Sequence, residues 1–257
     1  QRYFAVEDAA GKLLTSFITV SNIESREPAQ VRVGNERVVR PRLSDAAFFW
    51  QQDRREPLAA RLPGLDAVTF QAKLGSLGAK VKRIESLAET ISERLDLNVL
   101  QAQRSAALSK CDLLTAMVGE FPELQGIMGA HYAVADGEPA VVAQAIREHY
   151  LPRGAGDALP ESAPGTAVAL ADRLDTLAGI FAIGQKPTGT KDPFGLRRAA
   201  FGVLRILIEK RIDLDLRPLI DVAVSLQPVK NATAADEVHD YIMERLRAYY
   251  LEQPGGR

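Results

Sequence analysis

The side chains of this chain best suited to bond-making chemistry are few. There are three histidines, His131, His149 and His239, and one cysteine, Cys111, with no histidine near it in sequence. Asp172 and Asp175 lie three apart in Ala171-Asp-Arg-Leu-Asp-Thr-Leu177. That spacing puts both carboxylates on one face of a helix. Such a pair could do acid–base work or bind a metal ion. A structural role, with Asp172 capping a helix or pairing with a buried arginine, competes with it and is the simpler reading.

Other catalytic signatures are absent. Gly184-Gln-Lys-Pro-Thr-Gly189 lacks the ending and the preceding strand of a phosphate-cradling loop, and no GxSxG, CxxC or HExxH occurs. His239-Asp240 is an HD dipeptide. Metal-dependent HD hydrolases also need an earlier His and a later Asp on separate helices, and too little chain follows here, so a surface helix position is favoured.

Cations are clustered. Residues 186–211 carry Lys186, Lys191, Arg197, Arg198, Arg205, Lys210 and Arg211 against only Asp192 and Glu209. Arg198 and Arg205, seven apart, fall on one helical stripe. The helix start after Thr188-Gly189-Thr190 would offer free N–H groups and a positive dipole end. A phosphate backbone suits such a surface, although a solvated or salt-bridged helix face fits equally. A second patch is Arg26, Arg32, Arg37, Arg40, Arg42, Arg54 and Arg55.

The elements that must position these groups are mostly helices. Residues 3–8 and 13–20 read as two strands around a turn containing Gly11. Helical patterning then begins at Pro28, with an apolar stripe at Leu43, Ala46, Ala47, Phe49 and Trp50, and breaks at Pro57 and Pro63-Gly64. Helices are predicted at 72–94, 98–118, about 122–134, 138–150, 166–181, from Asp192-Pro193 to about 211, 216–226 and 235–251. Asp192 is the expected N-cap of its helix and Pro193 its first residue. Loops fill 152–165 and 186–191. In 111–133, Gly126 and Gly129 stand among Leu124, Ile127 and Met128 in what reads as a helix begun by Pro122. Glycine costs about 1 kcal/mol in a helix, so another group should approach the backbone there. The segment 120–129 is expected to pack inside the domain.

With 257 residues, 46% apolar, the chain is long enough for a sizeable core. Its formal net charge of −1 means that any nucleic-acid contact must come from a local patch. One cysteine rules out an internal disulfide, argues against a cysteine-based zinc site and suits a reducing cytosol. No apolar run long enough to span a membrane exists. The chain starts at Gln1 in strand-like sequence and ends in Pro254-Gly-Gly-Arg257, and is expected to be a piece of a longer polypeptide.

Several long, unusual segments carry a resemblance. They are Val39-Arg-Pro-Arg-Leu-Ser-Asp-Ala-Ala-Phe-Phe49, Phe70-Gln-Ala-Lys-Leu-Gly75, Lys80-Val-Lys-Arg-Ile-Glu85, Glu120-Phe-Pro-Glu-Leu-Gln-Gly-Ile-Met-Gly129, Glu148-His-Tyr-Leu-Pro152, Ala171-Asp-Arg-Leu-Asp175 and Pro187-Thr-Gly-Thr-Lys-Asp-Pro-Phe-Gly-Leu-Arg-Arg-Ala199. In this order they resemble the middle of the β subunit of bacterial glycyl-tRNA synthetase. The resemblance implies a mainly α fold: a helical HD-like domain over 34–257, preceded over 1–33 by a two-stranded β segment ending a tRNA-interacting region. It implies a cytoplasmic tetramer of two α and two β chains that joins glycine to tRNA(Gly). The α subunit would hold ATP and Mg, with no cofactor, metal or catalytic residue in this part. Lys110-Cys111-Asp112 falls roughly where a true HD protein has its His-Asp, and Asp172 near its last Asp. The replacement leaves too few ligands for a metal pair.

Phosphate contacts are therefore expected from Lys186, Lys191, Arg197, Arg198 and Arg205, with Arg40 and Arg42 as further candidates. One rival is an HD-type metal-dependent phosphohydrolase using His131, His149, Asp172 and Asp112. Another is a subunit-docking scaffold.

Overall fold

The computed structural model describes residues 3–22 and 24–251. Two compact units divide the chain, Gln1–Gln52 and Asp53–Arg257. The Pro254-Gly-Gly-Arg257 end lies outside the described residues.

In the first unit, β1 (Tyr3–Glu7) and β2 (Leu13–Thr19) pair antiparallel, with Tyr3 opposite Thr19 and Ala5 opposite Phe17. Gly11, at φ 77°, makes the turn; a left-handed backbone suits glycine because it has no Cβ to clash. Asp8 accepts from the amides of Ala10 and Lys12 and closes it. Helix α1 (Pro28–Asp53) follows. The predicted apolar stripe on it is only partly covered, since Leu43 and Ala47 are exposed while Ala46, Phe49 and Trp50 are half-buried.

The second unit is a helical array. After a 3₁₀ segment (Leu58–Ala67) come two short strands, β3 (Thr69–Gln71) and β4 (Gly75–Ser76), then α2 (Leu77–Arg94). The predicted start of this helix at 72 is displaced because Phe70 to Gly75 forms the tight β3–β4 turn. Ser76 then caps α2 by accepting from the Ala79 amide at 3.1 Å. The predicted 98–118 helix is three pieces: α3 (Val99–Leu108), a 3₁₀ turn (Cys111–Leu114) and α4 (Ala116–Glu120). Thr115 caps α4 through the Val118 amide, and Asp53 accepts from the amides of Ala116 and Met117 at 2.9 and 3.0 Å.

The remaining helices are α5 (Ile127–Ala135), α6 (Ala140–Glu148), α7 (Ala163–Ala182), α8 (Leu196–Glu209), α9 (Leu216–Ser225) and α10 (Ala234–Leu251). Alanines and small residues let α7 run through the centre. It packs against α2, α3, α6, α8, α9 and α10, and most of its residues are buried. Val168, Leu170, Leu174, Leu177 and Phe181 from α7 meet Ile84, Leu87 and Ile91 of α2 in one core.

The glycine segment differs from its sequence reading. Pro122–Leu124 is a 3₁₀ turn, and Gly126, at φ 78°, stands before α5 instead of inside it. Glu120, Glu123 and Gln125 face solvent, whereas Gly126 and Gly129 are buried. The close approach is real at the glycines. Asp112 Oδ2 accepts from the Gly126 and Gly129 amides at 2.6 and 3.1 Å. A Cβ on Gly129 would lie 2.8 Å from Ile146 Cγ2 and 2.9 Å from Asp112 Oδ2. Gly129→Ala should therefore destabilise the protein by about 1–3 kcal/mol through overpacking. An unchanged denaturant midpoint would refute that close contact.

Candidate functional site

Two features of the second unit carry its polar chemistry: a buried charge cluster between α2 and α7, and a cation-lined face at α8. The cluster begins with two residues out of place on an apolar stripe. Lys80 and Arg83 lie on α2 among Leu77, Val81 and Ile84, and both are buried. Asp172 and Asp175 of α7 meet them. Lys80 Nζ lies 2.8 Å from Asp172 Oδ1, 2.9 Å from Asp175 Oδ2 and 2.7 Å from Thr176 Oγ1. Arg83 Nε donates to Asp175 Oδ1 at 2.6 Å, and Gln227 Nε2 donates to the same oxygen at 3.0 Å. The sequence reading had Asp172 capping a helix or pairing with a buried arginine. Its partners are two lysines, and the arginine goes to Asp175.

The second lysine is Lys110, between α3 and the Cys111–Leu114 turn. Its ammonium lies 2.7 Å from Asp172 Oδ2, 2.9 Å from His149 Nε2 and 4.0 Å from the Tyr150 ring centroid. His149 Nδ1 sits 2.6 Å from the Ile146 carbonyl. That geometry makes Nδ1 the donor and leaves Nε2 to accept from Lys110. Burial, followed by the nearby Lys110 charge, holds the His149 pKa well below its ordinary value. Burial pushes Asp172 and Asp175 the other way, but the ammonium groups of Lys110 and Lys80 outweigh it for Asp172, as do Lys80 and Arg83 for Asp175. Both carboxyls stay below the usual range.

An ammonium thus lies between the two side chains that the hydrolase reading needs as metal ligands. The other two ligands of that reading point elsewhere. His131 is exposed on α5, and Asp112 is held by the two glycine amides. Among the described residues no three His, Cys, Asp or Glu side chains are placed to hold a metal ion. His239 lies on α10 with its ring 3.7 Å from exposed Asp240. Burial, then Asp112, pushes the Cys111 thiol up to about 12, so it is not a thiolate nucleophile at neutral pH.

The cationic face is smaller than the sequence count. Lys191 and Arg198 are exposed. Lys186 pairs with Glu237 at 2.8 Å, and Arg197 donates to the Gly189 carbonyl. Arg205 requires a correction. It is turned inward, pairs with Glu209 at 2.6 Å and donates to the Gly154 carbonyl at 3.1 Å. The seven-residue spacing is right, but it places Arg205 over the Gly154 loop, away from solvent. The helix start is also corrected. α8 begins at Leu196 after Gly195, at φ 65°. Asp192 still caps it from a distance, accepting from the Leu196 and Arg197 amides at 2.8 and 2.9 Å. Those two N–H groups are therefore not open to phosphate. Arg40 and Arg42 are exposed on α1 in the first unit.

Sequence reasoning missed Lys80, Arg83 and Lys110 as a cluster. The signal for the first two was present: cations three apart inside an apolar helical stripe, matched by carboxylates three apart on another helix.

The comparisons agree with the resemblance. The family model described as glycyl-tRNA synthetase beta subunit matches residues 1–256. Among curated proteins, the glycine–tRNA ligase beta subunit of Aeromonas salmonicida is 56% identical over 98% of this chain and 37% of its own length. Those of Pseudomonas fluorescens (strain Pf0-1) and Klebsiella pneumoniae are 55% and 54% identical over 100% of this chain, and 38% and 37% of theirs. The chain spans a little over a third of the length of the curated relatives it matches. A match that runs from the β-hairpin through α10 at such identity leaves one assignment: the chain belongs to the glycyl-tRNA synthetase β-subunit family.

Proposed function

We propose that this chain is part of a glycine–tRNA ligase β subunit that binds and positions tRNA(Gly) for ATP-dependent attachment of glycine. In this reading bond-making occurs with the α subunit, where ATP and Mg act, in a cytoplasmic assembly of two α and two β chains. The observation that carries it is the whole-chain match to glycine–tRNA ligase beta subunits. Two physical features support it. Lys110 fills the space between His149 and Asp172 with a fixed ammonium, which suits a scaffold better than a hydrolase. Lys191 and Arg198 leave cations exposed beside α8, as phosphate contacts require.

The test is the Lys191→Ala/Arg198→Ala variant of the holoenzyme, with tRNA affinity measured at several salt concentrations. Each phosphate contact contributes about 0.7–0.9 to the slope of log affinity against log salt. Losing two should make the slope shallower by between one and two and weaken binding at low salt. Unchanged affinity and slope would refute the assignment. Normal tRNA binding with loss of α-subunit association would instead identify a docking surface.

A further inference from the structure

A cleft of about 630 Å³ opens between the turn after α6 and the start of α8. Arg147, Tyr150, Asp172, Arg173, Phe194 and Arg198 are among the residues that line it. Its charges do not balance. Arg173 donates to four carbonyls, those of His149, Tyr150, Pro152 and Ala169, at 2.8–3.1 Å, and to no carboxylate. Asp172 lies nearby, but its single charge is shared, because Lys80 and Lys110 already hold both carboxylate oxygens. The guanidinium groups of Arg147 and Arg198 are exposed and make no ion pair among the described residues. Of the other two lining carboxylates, Asp157 is paired with Arg153 at 3.0 Å, which leaves exposed Glu123 and the shared Asp172 to oppose three guanidiniums.

We propose that this cleft is a site for a nucleotide phosphate, supplied by a free nucleotide or by the end of a single RNA strand. Guanidinium groups match phosphate because their planar donor forks meet two oxygens at once. The volume falls in the range of small-molecule sites. Phe194 provides an apolar wall for a sugar or base, and a phosphate between Arg147 and Arg198 supplies the counter-ion that the cleft lacks. The free-nucleotide source goes beyond the tRNA reading, and Arg147 has no part in that reading.

The test is hydrogen exchange of the holoenzyme across residues 147–153 and 194–199, titrated with cytidine monophosphate in one arm and a 5′-hydroxyl RNA trinucleotide in the other. Slowed exchange with the monophosphate identifies the free source; slowing with the trinucleotide alone identifies the strand end. In either case Arg147→Gln should raise the half-saturating concentration about tenfold. If neither probe slows exchange at millimolar concentration, or if Arg147→Gln leaves the protection unchanged, the proposal is overturned. Binding of whole tRNA, measured in parallel on both proteins, keeps a failure here separate from a failure of the tRNA assignment.

Discussion

Asp175→Ala should destabilise the protein by about 3–5 kcal/mol, the cost of breaking a buried ion pair by removing one partner. Asp175 is 1% exposed. Its carboxylate accepts from Lys80, Arg83 and Gln227. Lys80 would keep Asp172. Arg83 would keep only the Leu74 carbonyl, at 3.3 Å, and would be left as a buried charge without its counter-ion. Denaturant unfolding of wild type and variant gives the difference directly; a loss below about 1 kcal/mol would show that the cluster is looser than its distances imply. The pH dependence supplies a second reading. The Asp175 pKa is depressed in the folded state. Its stabilisation is therefore present above the unfolded value, near pH 4, and is lost as the pH falls toward the folded value. Wild type should lose stability on that acid limb, and the variant should lose less.

Lys110→Met should cost about 3 kcal/mol at neutral pH by the same mechanism. It removes the ammonium that joins Asp172 to His149. Lys80 remains on the other carboxylate oxygen, so the loss should be smaller than for Asp175→Ala. The sign of the pH effect separates this from a simple cavity. In the wild type, His149 is held neutral, first by burial and then by Lys110. The unfolded chain binds that proton below about pH 6.5 and the folded chain does not, so wild type loses stability as the pH falls through that value. Without Lys110, the imidazole can take up a proton next to Asp172. The penalty of the variant should then shrink between pH 7.5 and 5.5. A penalty that stays constant over that range would mean that Lys110 acts by packing alone.

The helical class, the opening hairpin and most helix positions are legible in the sequence because local rules place them. Apolar spacing marks α2 and α7, and Gly11 marks the turn between β1 and β2. Boundaries fail where side chains from distant segments satisfy the backbone. Gly126 leaves the helix because Asp112, fourteen residues earlier, accepts its amide. α4 stands apart from α3 partly because Asp53 takes the Ala116 and Met117 amides.

The site divides in the same way. Residue types alone show that metal ligands are scarce and that cations gather around 186–211, and the unusual segments from Val39 to Ala199 point to the family. Which of those cations face solvent is beyond local reasoning. Arg205 and Arg198 share a spacing that predicts one exposed stripe, yet the loop at Gly154 covers one and not the other. Likewise, Lys110 and Asp172 are 62 residues apart, and their meeting depends on how α7 threads between α2 and α6. Periodicity records which face of a helix is apolar; it carries no information about which neighbour arrives there or whether a buried charge will find its counter-ion.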